Sequence, residues 1–375
     1  MFKKRKKEKN FGILDIGSES VKCLVASRSY IKGKEKTVLL GKGLEPFEFF
    51  GVFDGREFEM DVMKKAIKKA TEDALDEAKT PIETLVISLP VHIFKAKILE
   101  QNFKRENPKS LISEKERQEI FKKIFRESRK TASENFAKET GILPEELCFI
   151  SERVLQIKIN GYEVPDLAGF SGKDLEFKIL LTFLPKYYLA QIQKLIRISG
   201  LQISKILHES EGLSSLVKDE TTLFVDIGAD FTQIFLVKKG ILSMVSGFKG
   251  GGRNFTRALC EKFGILPQEA NSLVVRYQRH SLEEETRARL REIFLREAKN
   301  WLLNLNTKLE DKGFFEKILC FGGGAYFPEI LEVLEKEYGV LVKTLTLKDF
   351  LGIEDKTKGG IGLQFIPTLF LIYAI

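Results

Sequence analysis

Two short stretches carry residue types suited to handling a phosphate: LDIGSESVKCLVA (residues 14–26) and VDIGADFTQIFLV (225–237). Each reads as an apolar strand, Asp-Ile-Gly, a short turn and a second apolar strand. Gly17 and Gly228 allow the backbone to approach a phosphate closely. Main-chain N–H groups and the hydroxyls of Ser18, Ser20 and Thr232 can donate to phosphate oxygens. Asp15 and Asp226 stand where a carboxylate would hold magnesium through water. One Asp-Gly turn alone is ordinary turn chemistry. A third stretch, ILCFGGGAYFPEI (318–330), adds Gly322, Gly323 and Gly324 ahead of a helix, where a nucleoside could pack against bare backbone. The order hairpin, hairpin, Gly-rich turn and helix gives the pattern its content.

The elements that must position these residues follow from periodicity. The repeated hairpin suggests a duplicated fold with a cleft between its halves. TVLLGKGLEPF (37–47) and TLVISLP (84–90) read as strands. Residues 61–78 form an amphipathic helix with apolar positions at 63, 66, 67, 70 and 74. Ser113 and Glu116 have the spacing of a capping box before a second helix. CFISERVLQIKING (148–161) and KDLEFKILLTFLP (173–185) alternate as strands, and YYLAQIQKLIRISG (187–200) is a helix closed by Gly200. Residues 91–182 therefore read as an inserted α+β unit. Beyond the second hairpin, 255–264 and 281–311 are helices and 317–339 is strand, Gly-rich turn, helix. The apolar end, FIPTLFLIYAI, reads as a buried helix.

Composition narrows the class. A chain of 375 residues with 43% apolar and 30% charged content is a globular protein of two or more domains. The net charge of +8 is concentrated in MFKKRKKEKN; the remainder is only mildly basic, so no nucleic-acid partner is expected. That arm is either a solubilising tail or an electrostatic tether to anionic lipid or nucleic acid. Cys23, Cys148, Cys260 and Cys320 form no CxxC pair, which argues against zinc and disulfides and for a reducing, cytoplasmic setting. No signal peptide or uncharged stretch of about 18 apolar residues is expected.

With those motifs in order, the chain resembles the actin/Hsp70/sugar-kinase ATPase superfamily from about residue 10 to residue 375. Within it the chain is most similar to the bacterial cell-division family FtsA, through GVFDGREFEMDVMKKAI, VISLPVHI and the loop NGYEVPDLAGFSGKDLEF. The pilus-assembly family PilM is similar as well, through LPKYYLAQIQKLIRISGL. The resemblance implies an α/β fold: an actin-like two-lobed ATPase with mixed sheets and an inserted α+β subdomain of SHS2 type. The implied boundaries are a basic flexible arm at 1–10 and a first actin-like domain at 11–90 plus 183–218. The insertion at 91–182 and a second actin-like domain at 219–375 follow, the latter with a helical subdomain near 250–312.

By resemblance, Asp15, Gly17, Ser18, Ser20 and Lys22 line a first phosphate loop, Asp226, Gly228 and Thr232 a second, and Gly322, Gly323, Gly324 and Ala325 an adenosine turn. Glu211 is the register match for a water-orienting carboxylate. ATP with Mg2+, bound to Asp15 and Asp226, is the implied cofactor pair. The chain departs from the family at Asp230 and Phe231, where Gly and Thr are usual, and at Asn271 and Val274, where a Glu and a Lys face the nucleoside. Asp230 is expected to repel a γ-phosphate by about 4 kcal/mol at an effective dielectric of about 20. Weak binding and slow hydrolysis at most are the expectation, with nucleotide as a conformational switch.

The functional expectation is an FtsA-type protein that assembles into filaments at the inner face of the cell membrane and recruits the division tubulin homologue FtsZ. A PilM-type pilus or secretion scaffold is the alternative, and a small-molecule kinase is remote. FtsA proteins carry a C-terminal amphipathic membrane helix. Since FIPTLFLIYAI reads as a core helix, membrane contact is expected from Lys3, Lys4, Arg5, Lys6, Lys7 and Lys9.

Overall fold

The structure, a computed structural model, describes residues 9–31, 34–47, 59–310 and 313–375. Lys3, Lys4, Arg5, Lys6 and Lys7 of the basic arm lie outside them. Lys9 and Asn10 lie in the first strand, so the expected boundary at residue 10 does not hold.

In chain order the first half runs β1 (Lys9–Ile16), β2 (Ser20–Ile31), β3 (Lys34–Pro46), α1 (Met60–Ala78) and β4 (Thr84–Ser88). The insertion comprises β5 (Lys95–Lys104), α2 (Glu114–Thr140), β6 (Leu147–Ile159), β7 (Tyr162–Val164) and β8 (Asp174–Pro185). The chain returns to the first half with α3 (Lys186–Ile198) and β9 (Gln202–Ile206). The second half runs β10 (Thr221–Ile227), β11 (Phe231–Lys238), β12 (Ile241–Lys249), α4 (Gly252–Phe263), α5 (Pro267–Gln278) and α6 (Glu284–Leu309). It closes with β13 (Lys317–Phe321), α7 (Pro328–Tyr338), β14 (Leu341–Thr344), β15 (Ile353–Asp355) and α8 (Ile366–Ala374).

Three mixed or antiparallel sheets result. The first has the order β15-β3-β2-β1-β4-β9, the second β12-β11-β10-β13-β14, and the insertion β5-β8-β6-β7. In both large sheets an antiparallel hairpin is followed by a parallel partner strand, β4 beside β1 and β13 beside β10. Each hairpin therefore ends where the parallel strands end, the edge at which open α/β sheets bind ligands.

Local sequence explains the packing around the first hairpin. Helix α1 lies directly on β3 because Gly41 and Gly43 have no side chain. A Cβ there would stand 2.2 Å from the Ala74 carbonyl oxygen and 1.9 Å from that of Ala70. The helix presents Met63, Ala66, Ile67, Ala70 and Ala74 to this surface, all buried. In the insertion, Ser113 caps α2 by accepting from the Glu116 N–H. The Glu116 carboxylate does not close the expected box; it pairs with Arg105, whose side chain is fully enclosed.

One expected boundary fails. The second domain does not run intact to residue 375, because β15 pairs with β3 of the first sheet and α8 packs in a core shared by both halves. That core joins Phe11, Ile13 and Leu24 of the first sheet to Phe224, Phe235 and Phe321 of the second, with Leu369, Phe370 and Leu371 of α8 between them. A helix apolar on nearly every side needs walls on several sides, and two sheets supply them. Among the described residues no helix is long and apolar enough to cross a membrane.

Candidate functional site

The two hairpins match position for position when DIGSESVK is laid on DIGADFTQ without a gap. Asp15 faces Lys22 across its hairpin, and Asp226 faces Gln233. Gly17 N–H donates to the Ser20 carbonyl at 2.9 Å, and Gly228 N–H to the Phe231 carbonyl at 3.0 Å. The first turn offers the hydroxyls of Ser18 and Ser20; the second has Ala229 and Phe231 at those positions and offers main chain only.

Between the turns lies a cleft of about 120 Å³, lined by Asp15, Gly17, Ser18, Ser20 and Lys22 from one half and Asp226, Gly228, Gly322 and Gly323 from the other. Lys22 Nζ donates to Asp15 Oδ2 at 2.7 Å. Burial works against the Lys22 charge, but Asp15 and then Asp226 outweigh it and raise its pKa. Burial pushes the Asp226 carboxyl up to about 7, with Lys22 pulling the other way. Asp226 Oδ1 is buried without a hydrogen-bond partner. Gly322, at φ +85°, covers it: a Cβ there would sit 2.2 Å from that oxygen.

Four expected residues fall elsewhere. Thr232 does not donate into the cleft. Its gap-free counterpart is Val21, so it points inward, where its hydroxyl donates to the Gly250 carbonyl at 2.7 Å and accepts from Trp301 Nε1 at 2.8 Å. Gly324 and Ala325 sit beneath the turn, and a Cβ on Gly324 would meet Ile227 at 2.3 Å. Glu211 turns away from the cleft to accept from Ser151 Oγ at 3.0 Å and from the His208 N–H at 3.1 Å. It caps the short 3-10 turn Glu209–Glu211, which consumes its carboxylate.

Glu209, two residues earlier, takes the place expected of Glu211. It is 5% exposed, lines the cleft and accepts from Gln233 Nε2. Burial, then Asp226 and Asp15, raise its pKa well above the usual carboxylate range. The turn is anchored because Leu207 N–H donates to the Ile87 carbonyl at 2.9 Å and Gly212 lets Phe370 of α8 pass beneath it. Glu209, Gln233 and His208 were missed in the sequence. The gap-free hairpin alignment would have found Gln233, and the capping spacing from His208 to Glu211 would have freed Glu209.

Asp230 carries no open charge toward the cleft. Its carboxylate pairs with Arg253, whose side chain is 3% exposed, and lies 3.5 Å from Arg257. Arg253 also reaches the Ser18 carbonyl of the first turn at 3.5 Å. The expected repulsion of a γ-phosphate is replaced by an ion pair at the lip of the cleft. Asn271 accepts from Thr256 Oγ1 at 3.0 Å, and Val274 is buried in the second half's core.

The donor set fits a hydrated divalent cation with a phosphate chain. Asp226, Asp15 and Glu209 line one cavity with Lys22, the two serines and the backbone of both turns. No group of three or more His, Cys, Asp or Glu among the described residues forms a closed metal site. Water and phosphate oxygens would therefore complete the coordination.

No protein-family model matches the chain. The cell-division protein FtsA of Streptococcus pneumoniae is 23% identical over 357 positions, which cover 88% of this chain and 74% of that protein. A chain of the PilM–PilN type IV pilus biogenesis complex superposes with a TM-score of 0.70 at 17% identity, covering 97% of this chain and 98% of that one. The ethanolamine utilization protein EutJ of Carboxydothermus hydrogenoformans gives 0.55 at 11% identity over 98% and 90%. The chain has the actin-like ATPase fold.

Proposed function

We propose that the chain binds ATP with magnesium in this cleft and uses nucleotide as a conformational switch in an assembly scaffold. The carrying observation is the convergence of Asp15, Lys22, Glu209 and the orphan Asp226 oxygen from two halves beneath the Gly322 turn. In this reading Lys22, Ser18, Ser20 and the backbone of Gly323 hold phosphate oxygens, Gly228 leaves room for them beside the second turn, and Asp15 and Asp226 hold the hydrated cation. Magnesium supplies charge neutralisation for the phosphates. Glu209 holds a water at the cleft floor as the carboxylate that orients it, and turnover is slow.

Isothermal titration with ATP, with and without magnesium, tests binding, and phosphate release tests turnover. Asp226→Asn removes the magnesium-dependent part of the affinity. Glu209→Gln abolishes phosphate release, and Glu211→Gln leaves it within about twofold. The reverse pattern would return the water-orienting role to Glu211.

The partner follows from the kind of scaffold. The sequence likeness to FtsA supports recruitment of the division tubulin homologue FtsZ at the inner membrane face, with self-assembly into filaments. The near-complete superposition on the PilM chain supports a second reading, recruitment of a pilus-membrane-protein tail. Pull-down by an FtsZ tail against a PilN-type tail separates the two. In either case the basic arm is the proposed contact with anionic lipid, at about 1 kcal/mol per Lys or Arg at most. Salt-sensitive sedimentation with anionic vesicles, lost on deleting residues 2–8, is the expected result.

A further inference from the structure

A second cavity, about 480 Å³ and larger than the nucleotide cleft, lies between the insertion and the second half. Its walls include Phe136 of α2, Phe231 of β11 and Phe248 of β12. Residues 95–97 of β5 and 245–249 of β12 line it, and both strands are the outermost of their sheets. The two outer strands pack against each other beside it, so an occupant is held by the side chains that line the groove.

Its charge is one-sided. Lys95, Lys97, Lys249 and Lys308 face the cavity against a single carboxylate, Glu139, which pairs with Lys97 at 3.5 Å. Lys95, Lys249 and Lys308 have no ion pair among the described residues. Lys95 is half-buried. Burial, and then Lys97, lower its pKa to about 8, while Glu139 opposes them. A buried ammonium group without a counter-charge is costly, and an incoming carboxylate would offset that cost.

We propose that this groove is a docking site for an extended acidic peptide segment of a partner protein, with alternating apolar side chains on the aromatic floor and carboxylates toward the lysine rim. The groove is too concave for a membrane surface. Its cations are spread along a channel instead of converging on one small anion. Phe231 and Gln233 line both this groove and the nucleotide cleft, so the occupant touches the wall of the phosphate site.

The test uses fluorescence anisotropy of the full chain, without nucleotide, and a labelled ten-residue peptide of alternating Glu and Leu. Alternating Gln/Leu and Lys/Leu peptides are the controls. Working without nucleotide keeps this test independent of the proposed nucleotide site. The Glu/Leu peptide is expected to bind about tenfold more tightly than the Gln/Leu peptide, a difference of about 1.4 kcal/mol. Lys95→Gln and Lys249→Gln, each with unchanged thermal melting, lower its affinity about fivefold or more. A bound carboxylate raises the Lys95 pKa, so affinity is greatest below about pH 8 and falls as pH rises past it. Equal binding of the Glu/Leu and Gln/Leu peptides, or no effect of either lysine variant, overturns the proposal. Complete displacement by equimolar inorganic triphosphate would mark a small-anion site and overturns it too, and displacement by anionic vesicles would do so in favour of lipid.

Discussion

Asp230 illustrates how one residue's meaning depends on a partner that spacing does not reveal. In sequence it is a carboxylate intruding on a phosphate turn; in the structure Arg253 neutralises it and links the two turns. Asp230→Gly is therefore expected to destabilise by about 3 kcal/mol, because it removes the carboxylate that neutralises an enclosed guanidinium. Urea unfolding checks this, and Asp230→Gly with Arg253→Met should recover most of the loss. His208 makes a second residue-scale prediction. Burial, then Lys95, lower its pKa to about 3, and its Nδ1 accepts from the Ser210 N–H. A pKa depressed in the folded state gives stability that is present above the unfolded value near 6.5 and is lost as pH falls. About 3 kcal/mol should disappear between pH 6.5 and 4. A pH series of urea midpoints checks it, and His208→Gln flattens the dependence.

At the scale of elements, the strongest local dependence is helix on strand. Gly43→Ala drives a Cβ into the Ala70 carbonyl and should cost about 3 kcal/mol, since neither backbone can yield alone. Thermal melting reads the effect, with Gly141→Ala, where a Cβ meets nothing within 4 Å, reporting the cost of a positive φ by itself. Elements were legible wherever periodicity was strong: α1, β4, β6, β8 and the two hairpins stand where apolar spacing put them. The aspartates and first-turn serines of the cleft were legible too, because hairpin chemistry is local. Thr232 was misread because a hydroxyl near a turn was weighed without the alternation of strand faces. The capping contacts of Glu211 were not foreseen, because capping and water-orienting carboxylates share the same spacing. The destination of α8 was invisible, since an apolar helix does not say which sheet it will cover.

At the scale of the whole molecule, α8 makes the two halves interdependent. Its core residues touch both large sheets, so neither lobe completes its interior without the other. Calorimetry should show one transition for the two lobes, with Phe370→Ala lowering it as a unit by about 3–5 kcal/mol of stability. The same helix sets an order of events in synthesis. Strands β1 to β3 leave the ribosome well before β15 and the helix that seals their lower face. At about 5–20 residues per second, roughly 20–75 s separate the first strand from its seal. Throughout that interval the nascent first lobe exposes an unfinished apolar face, which makes it a client for whatever chaperone waits at the tunnel exit.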